Sequence, residues 1–274
     1  MDNSVPLRPG ACKLLASLDV EGSMRKTAIV ASLIVLVVSS ALAADAKSVR
    51  KSVALDANGH LSIDSHNGSI TVTTSNRPAV EIDARIVTDD DSSANDVQAT
   101  EIRISGSGRE VRVESDYDAV ESRGWWGMDK HLPLVHYTIS MPATASLSLN
   151  IHNSTVRVTG LRSDLKIDDH NGAIDVRDHD GAVSIDAHNG RVAVAFTRFA
   201  KESRIETHNG AVDVIIPAPT PFRIDADGHH LGFDSDFALV THGLDRDHVE
   251  GEVNGGGPQL HVTTHNGSLR VRKS

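Results

Sequence analysis

A tripeptide, His-Asn-Gly, recurs along this chain at nearly constant spacing, and it constrains the fold more than any other feature. The complete copies begin at His66, His170, His188, His208 and His265. A copy that lacks the glycine begins at His152, and His179 opens a His-Asp-Gly variant. The steps are 18 residues from 152 to 170 and from 170 to 188, then 20 to 208, then 57 to 265, which is three steps of 19. A fixed period of this length indicates stacked structural repeats.

Each repeat contains two short segments in which apolar and polar residues alternate. Examples are residues 165–168, 174–176 and 183–186. A period of two is typical of a β-strand with one buried face, and Asn-Gly supplies the positive φ angles of a tight turn. A meander of hairpins satisfies the same local pattern, but here the turn returns in constant phase. We therefore expect an all-β fold, a right-handed β-solenoid that resembles a single-stranded β-helix, with coils of 18–20 residues.

The corners of the repeats carry the residues that we expect to be structural. Stacked Asn side chains can hydrogen-bond to one another from turn to turn. The predicted structural residues are Asn67, Gly68, Asn171, Gly172, Asn189, Gly190, Asn209, Gly210, Asn266 and Gly267. The positions predicted to be buried hold Val, Ile, Leu and Ala, which suit a narrow core, and the aromatic content is accordingly only 3%.

The beginning of the chain has the three-part plan of a secretory signal peptide. Met24-Arg25-Lys26 precedes an apolar run over 28–38, and small residues stand at Ala41 and Ala43. The run has about half of the roughly 20 residues that span a bilayer, so we expect cleavage after Ala43 or Ala46 and no transmembrane span afterwards. The predicted organisation is a non-native leader or upstream start at 1–23, a signal peptide at 24–43, and a single β-domain at 44–274.

Charge and export limit the classes of partner. The net charge is -10, from 37 acidic and 27 basic residues, whereas a nucleic-acid-binding domain presents a basic face. The one cysteine, Cys12, lies before the predicted cleavage site, so we expect a mature protein without disulfides. We expect an exported protein, periplasmic, outer-surface or secreted, whose partner is an envelope protein or a glycan and not a nucleic acid.

Two stretches interrupt the repeats. Residues 85–148 contain ordinary strand patterns and an irregular insertion at about 115–135. The insertion holds Trp125 and Trp126, the two tryptophans of the chain. They can contact a partner or glycan, or cover an open edge of the fold. The second interruption, 217–221, has three prolines and fits a loop or an edge strand.

The motifs that follow the first interruption resemble a known family. Tyr137-Thr138-Ile139-Ser140-Met141-Pro142 leads into alternating strands and Asn-Gly repeats, and Ile216-Pro217 precedes a similar strand at 222–224. This pattern resembles the bacterial "putative adhesin" family of envelope proteins with repetitive toast-rack β-solenoid domains, over most of residues 50–272. The resemblance implies an exported all-β protein and defines no catalytic residues. The frequent His before Asn-Gly is a departure from the family.

The histidines of the repeats are candidate metal ligands. In stacked repeats, neighbouring imidazoles lie about 4.8 Å apart, within reach of a shared zinc, copper or nickel ion. The candidate ligands are His152, His170, His188 and His208, with Asp169, Asp186 and Glu206 nearby to complete a shell. The alternative is that His is a turn residue that tolerates left-handed backbone geometry and has been copied by repeat duplication.

These observations favour a non-enzymatic, adhesin-like binding or scaffold protein of the cell envelope, with no required cofactor. A periplasmic transition-metal-binding protein that uses stacked histidines is the alternative, and a carbohydrate-active β-helix enzyme is the third reading. An enzyme is disfavoured because the chain has no nucleophile motif, phosphate-binding loop or HExxH. The carboxylates of the repeats are also placed by the period and not as a distinct pair.

Overall fold

The computed structural model describes residues 46–90, 92–121, 131–229 and 231–274, and strands dominate them. The strands are β1 Ala46–Ser75, β2 Ala79–Val87, β3 Glu101–Asp116, β4 Leu134–Pro142, β5 Ser146–Thr159, β6 Leu165–Asn171, β7 Ile174–His179, β8 Val183–Asn189, β9 Val192–Phe196, β10 Ser203–Ile216, β11 Phe222–Gly228, β12 Gly232–Ser235, β13 Val240–Leu244, β14 His248–Val253 and β15 Gln259–Lys273. The helices are α1 Ala94–Ala99 and α2 Asp118–Glu121. The predicted all-β class is confirmed. The predicted leader and signal peptide lie outside the described residues.

Six parallel strands close a hydrogen-bonded ring. On one side β5 pairs with β6, β6 with β8, and β8 with β10. On the other side β5 pairs with β7, β7 with β9, and β9 with β10. The first halves of β5 and β10 belong to one side and their second halves to the other, so these two strands join the sides. The result is a closed six-stranded parallel β-barrel to which further strands are added.

The predicted right-handed β-solenoid with single-stranded coils of 18–20 residues is therefore wrong. The spacing predicts that successive repeats pair in parallel, but it does not predict how the two halves of a repeat are joined. In β5 one strand runs through the Asn corner, whereas β6 and β7 are separate strands on either side of it. The alternation of apolar and polar residues is the same in both cases, so the sequence pattern cannot reveal the closure of the ring.

The register keeps equivalent residues of the repeats side by side. Asn153 pairs with Asn171, and Asn171 with Asn189, each across 18 residues. Asn209 pairs with Asn189 across 20 residues and with Asn266 across 57. The long step arises because β11 to β14 are inserted between β10 and β15. The register predicted from the spacing is confirmed.

Alternate residues of each parallel strand point into one hydrophobic core. In β6, Leu165 and Ile167 are buried, whereas Lys166 and Asp168 are exposed. The same alternation along the other strands fills the core with Val, Ile and Leu side chains in one contiguous cluster. Full burial of each such side chain is worth about 1.5–3 kcal/mol, so the core is the main source of stability and the outward-facing residues are available for binding.

Antiparallel strands and short helices complete the fold. β2 pairs antiparallel with β1 and β4, and β14 pairs antiparallel with β11 and β13. The helix α1, which the sequence pattern did not predict, begins with a capping box formed by Ser93 and Asp96. The prolines of 217–221 lie in the loop between β10 and β11, as expected. Neither described helix has the length and apolar character of a membrane span.

Candidate binding face

Six histidines of the repeats and His229, which lies outside them, form one stack of rings, termed here the imidazole stack. In order of contact they are His66, His152, His170, His188, His208, His265 and His229. The first six are separated by 4.6–4.8 Å between ring centroids, with interplanar angles of 2–12°. The last ring is 5.8 Å from its neighbour. The structure thus brings all four predicted metal-ligating histidines together.

The stack follows from strand register and strand alternation. Parallel pairing places each histidine beside its equivalent in the next repeat, at the ladder spacing of about 4.7–4.9 Å. The residue before each histidine of the repeats is buried and points inward, as Ala187 does, so His188 points outward. A left-handed turn does not explain the histidines, because Asp178 and Asn254 are the only described non-glycine residues with positive φ.

Carboxylates lie beside the stack, two residues earlier in five of the seven strands, and are termed here the acidic row; Asn150 and Thr263 take this position in the other two. The members of the row are Asp64, Asp168, Asp186, Glu206 and Asp227. Within the described part of the chain, Asp168 and Asp186 have no ion-pair partner. By contrast, arginines hold Asp175 and Asp213 on the other side of the barrel. Three members of the row also have ion-pair partners: Asp64 with Arg112, Glu206 with Arg204, and Asp227 with His248. Within the described row, uncompensated negative charge next to the imidazoles is therefore confined to Asp168 and Asp186.

An open groove of about 480 Å³ lies between the acidic row and the imidazole stack. Its lining includes Asp186, Glu206 and Asp227 from the row and His188 and His208 from the stack. Carboxylates accept hydrogen bonds, and a neutral imidazole donates at one nitrogen and accepts at the other. The groove can therefore bind a polar, chain-like ligand whose hydroxyl or amide groups recur at the spacing of the strands.

The parallel rings restrict how the stack can hold a metal ion. The lone pair of an imidazole nitrogen lies in the ring plane, and zinc binds it at about 2.0–2.1 Å. His170 and His188 are within 3° of parallel and 4.8 Å apart, so one ion cannot lie in both ring planes unless a ring rotates. Of the expected supporting carboxylates, Asp186 and Glu206 share the face of the stack. Asp169 does not, because its side chain is only 2% exposed and points inward.

Asp169 is a carboxyl group inside the barrel. Its neighbours at the equivalent positions of adjacent repeats are Ile151 and Ala187. Neither carboxyl oxygen has a well-aligned hydrogen-bond partner among the described residues. Burial raises the pKa of Asp169 to about 7; the backbone amide of Asn171 lowers the pKa and the charge of Asp168 raises it further. The predicted role of Asp169 as a support for a metal on the stack is wrong.

The first ring of the stack has a distinct environment. His66 is half-buried, and Tyr117 packs against it edge-on with ring centroids 6.4 Å apart. Burial lowers the pKa of His66, and the neighbouring His152 lowers it further, whereas Glu121 and Asp64 act in the opposite direction. Protonation of this end of the stack is therefore disfavoured.

The predicted structural asparagines form a continuous ladder beside the stack. Each side-chain amide donates to the side-chain oxygen of the preceding asparagine at 2.8–3.0 Å. In order, the ladder consists of Asn67, Asn153, Asn171, Asn189, Asn209 and Asn266. It includes Asn153, which belongs to the copy without glycine. Because all the amides donate in one direction, every inner asparagine both donates and accepts.

The glycines that follow the asparagines permit close approach of neighbouring chains. A Cβ atom at Gly172, Gly190, Gly210 or Gly267 would lie 1.7–2.0 Å from a carbonyl oxygen of the preceding repeat. A Cβ atom at Gly68 would lie 2.2 Å from a backbone oxygen of β4. Of these five glycines only Gly68 and Gly190 have positive φ. The expectation that Asn-Gly supplies a left-handed turn is therefore wrong at the other three corners, where close packing of backbone is the reason for glycine.

A further cluster of polar side chains lies on β11, β14 and β15. His248 Nδ1 is 2.7 Å from Asp227 Oδ1 and 3.9 Å from Asp225 Oδ1, and His261 Nδ1 is 3.2 Å from Asp225 Oδ2. The hydrogen bond to Asp227 raises the pKa of His248. None of these residues belongs to a His-Asn-Gly repeat. The one local signal, an Asp-x-Asp alternation in β11, is too common to identify the cluster from the sequence.

The predicted partner or glycan contacts Trp125 and Trp126 lie outside the described residues. Of the insertion at about 115–135, the structure describes 115–121, which includes α2, and 131–135, which leads into β4.

Comparisons with known proteins identify relatives of this fold. A family model described as Toastrack DUF4097 matches residues 59–272. The structure of a "putative cell adhesion protein" from Clostridium sporogenes aligns with a TM-score of 0.52 at 9% identity, covering 83% of this chain and 100% of that one. A "putative adhesin" from Bacteroides fragilis aligns with a TM-score of 0.42 at 12% identity, covering 82% and 97%. No curated protein matches the chain. The Clostridium structure supports the fold.

Proposed function

This chain belongs to the Toastrack DUF4097 family, and from that premise we propose that it is an exported, non-enzymatic, adhesin-like binding or scaffold protein of the bacterial cell envelope. The names of the structurally similar proteins support an adhesin-like role. The signal-peptide pattern at 24–43 supports export to the periplasm, the outer surface or the medium.

The observation that carries this proposal is the pairing of the acidic row with the imidazole stack along one groove. The groove offers hydrogen-bond acceptors and donors at the spacing of successive strands. Asp186 lines the groove and Asp168 lies beside it in the next strand, and neither has an ion-pair partner among the described residues. A glycan presents hydroxyl groups along a repeating chain and can bind several of these groups at once. An envelope glycan is therefore the partner that fits this face best, and an envelope protein is the other.

The test is the binding of the purified protein to immobilised peptidoglycan, lipopolysaccharide and capsular polysaccharide. We expect the double variant Asp168→Asn/Asp186→Asn to bind at least tenfold more weakly, because each neutral amide loses a charge-assisted hydrogen bond of about 1.5–3 kcal/mol. The matched control is Asp175→Asn/Asp213→Asn, which removes two carboxylates from the opposite side of the barrel. This control is expected to bind like the parent protein.

Three results would count against this function. One is the absence of binding to every glycan, which would favour an envelope protein as the partner. Another is equally weakened binding in the variant and its control, which would show that glycan binding does not depend on the groove. The third is the release of new reducing ends from a bound glycan, which would identify a carbohydrate-active enzyme.

Transition-metal binding by the imidazole stack is a second candidate function, favoured by the continuous row of rings. Zinc, copper or nickel would bind a ring that has rotated out of the stack together with a carboxylate of the acidic row, such as His188 with Asp186. Calorimetric titration with the three ions would compare the parent protein with His170→Asn/His188→Asn. Micromolar or tighter binding that the variant loses supports this function. If neither protein releases or absorbs heat on titration, the stack does not bind these ions, and polar ligands are its expected partners.

A further inference from the structure

We propose that four side chains on β11, β14 and β15 form a binding site for a divalent transition-metal ion, with zinc as the best match. The side chains are Asp225, Asp227, His248 and His261. Two imidazoles and two carboxylates are a mixed nitrogen and oxygen donor set that zinc accepts. Neither of its histidines belongs to the imidazole stack, whereas Asp227 is shared with the acidic row and lines the groove. The proposed site does not depend on the proposed glycan binding.

The donor atoms lie close to the distances that a tetrahedral ion requires. Donors bound at 2.0–2.1 Å from zinc are about 3.3–3.4 Å from one another. The separations here are 2.7 Å from His248 to Asp227, 3.9 Å from His248 to Asp225, and 3.2 Å from His261 to Asp225. For these three contacts metal binding needs adjustments of at most about 0.6 Å, which small side-chain rotations provide. His261 contacts the other oxygen of Asp225 and is not within 4.8 Å of every other donor, so its ring must turn further toward His248 and Asp227 to join the site. Ligand atoms of Asp225, Asp227 and His248 all lie within 4.8 Å of one another.

Strand pairing places the four side chains on one surface. Asp227 is opposite His248 in the antiparallel pair of β11 and β14, and Asp225 is beside His261 in the parallel pair of β11 and β15. Asp225 and Asp227 are two residues apart in one strand, so they point to the same side. Three hydrogen-bonded strands hold the donors, and a site built on strands keeps its geometry better than one built on loops.

Two further carboxylates lie next to the proposed ligands. The Asp245 carboxylate accepts hydrogen bonds from the backbone amides of Asp247 and His248, both at 2.8 Å, and this fixes the start of β14. Glu202 lies 3.8 Å from His261 Nε2, the ring nitrogen that faces away from Asp225. A carboxylate behind a metal-binding histidine fixes the ring orientation and increases the basicity of the ligating nitrogen. Nδ1 of His261 faces Asp225, and the exposed Glu202 side chain must move closer before it can accept a hydrogen bond from Nε2.

Calorimetric titration of the purified protein with zinc chloride tests this site. We expect one zinc ion per chain, and binding that is at least tenfold weaker in Asp225→Asn and in His248→Asn, because each variant loses a ligand. Glu202→Gln leaves all four donors in place and is expected to weaken binding several-fold through His261. Cobalt(II) bound in place of zinc should give the absorption of a four-coordinate nitrogen and oxygen site in the parent protein.

Two controls separate this site from other histidines. His242→Asn removes an exposed imidazole from the neighbouring strand β13, and His170→Asn/His188→Asn removes two rings from the imidazole stack. Both should bind this zinc ion like the parent. Before the titration, each variant must melt at the same temperature as the parent protein in the absence of metal. If a ligand variant fails to fold, Glu202→Gln, which keeps all four ligands, tests the site in its place.

Two outcomes overturn the proposal. One is the absence of any one-to-one zinc binding tighter than about 100 μM in the parent protein. The other is zinc binding that survives in Asp225→Asn and His248→Asn but is lost in the stack variant, which would assign the ion to the imidazole stack. The glycan test relies on Asp168 and Asp186, so either proposal can fail while the other stands.

Discussion

Asp169 occupies an inward-facing row in which the adjacent repeats place Ile151 and Ala187. The side chain is 2% exposed, and its oxygens have no well-aligned partner among the described residues. An ionised carboxylate in such a place costs several kcal/mol unless it is paired. The protein avoids most of this cost because the raised pKa, about 7, keeps the group largely protonated in mildly acidic solution.

We predict that Asp169→Ala is stabilising at high pH and much less so at low pH. Folding raises the pKa of Asp169 from 3.8 to about 7. The contribution of this carboxyl group to the free energy of unfolding is therefore fully present below pH 3.8 and is lost as the pH rises to 7. A pKa shift of about three units changes the free energy of unfolding by at most about 4 kcal/mol. Urea unfolding of the variant and the parent between pH 4.5 and 8 measures the difference. The control Asp168→Ala removes an exposed carboxylate, and a pH-independent difference for Asp169→Ala would contradict the prediction.

His66 and His179 make stability depend on pH in the opposite sense to Asp169. Burial is the main cause that lowers the pKa of both imidazoles. The unfolded chain therefore binds more protons below its histidine pKa of about 6.5, and stability is lost as the pH falls through that value. Both proteins in the Asp169 comparison contain these histidines, so their effect cancels in the difference.

The residues that could be predicted from the sequence are those whose position depends on the period alone. The imidazole stack and the asparagine ladder require only that equivalent residues lie side by side. The inward direction of Asp169 follows from strand phase, because the alternation of residues 165–168 continues to position 169. The cluster around His248 depends on antiparallel pairing outside the repeats, so no period indicates it.

Among the structural elements, the corner between the two halves of a repeat has the tightest packing. Four of its glycines lie where a Cβ atom would meet the preceding chain. Ser154 takes the same position in the copy without glycine, and its buried hydroxyl has no hydrogen-bond partner within the described chain. A side chain is thus accommodated at one corner, at the cost of an unsatisfied polar group.

We predict that Gly210→Ala destabilises the protein by more than about 2 kcal/mol, through overpacking. The new Cβ atom would lie 1.8 Å from the Gly190 carbonyl oxygen, and Gly210 does not have positive φ, so the collision alone causes the loss. Gly255→Ala is the matched control, because Gly255 has a φ of 89° and no atom within 4 Å of the added Cβ. It should cost only about 1–2 kcal/mol, from backbone strain. Denaturant unfolding measures both, and an equal or smaller loss at Gly210 would show that neighbouring chains separate easily.

For the whole molecule, the first described strand begins close to the predicted export cleavage site. β1 starts at Ala46, which pairs with Val87. Cleavage after Ala43 leaves this pair intact, whereas cleavage after Ala46 removes one of its members. We therefore predict that the exported protein begins at Ala44.

Intact-mass measurement of the protein recovered from the periplasm or medium checks this prediction. The variant Ala43→Leu, which replaces the small residue before the cleavage site, should accumulate as the unprocessed precursor. Recovery of the complete chain from the exported fraction would contradict cleavage, and a chain that begins at Lys47 would assign the cut to the alternative site.

The single direction of the asparagine ladder determines in what steps this protein can change its size during evolution. Asn171 donates to Asn153 and accepts from Asn189, and the same exchange recurs at the inner rungs. Loss of residues 171–188 would let Asn189 donate directly to Asn153, with every remaining contact of the same chemical kind. The ladder therefore permits the gain or loss of whole repeats, of 18 or 20 codons, but not of fractions of a repeat. Loss of residues 171–188 would also remove His188, Asp186 and two strands of the ring, so the length of the imidazole stack and the number of strands in the barrel would change together, in discrete steps.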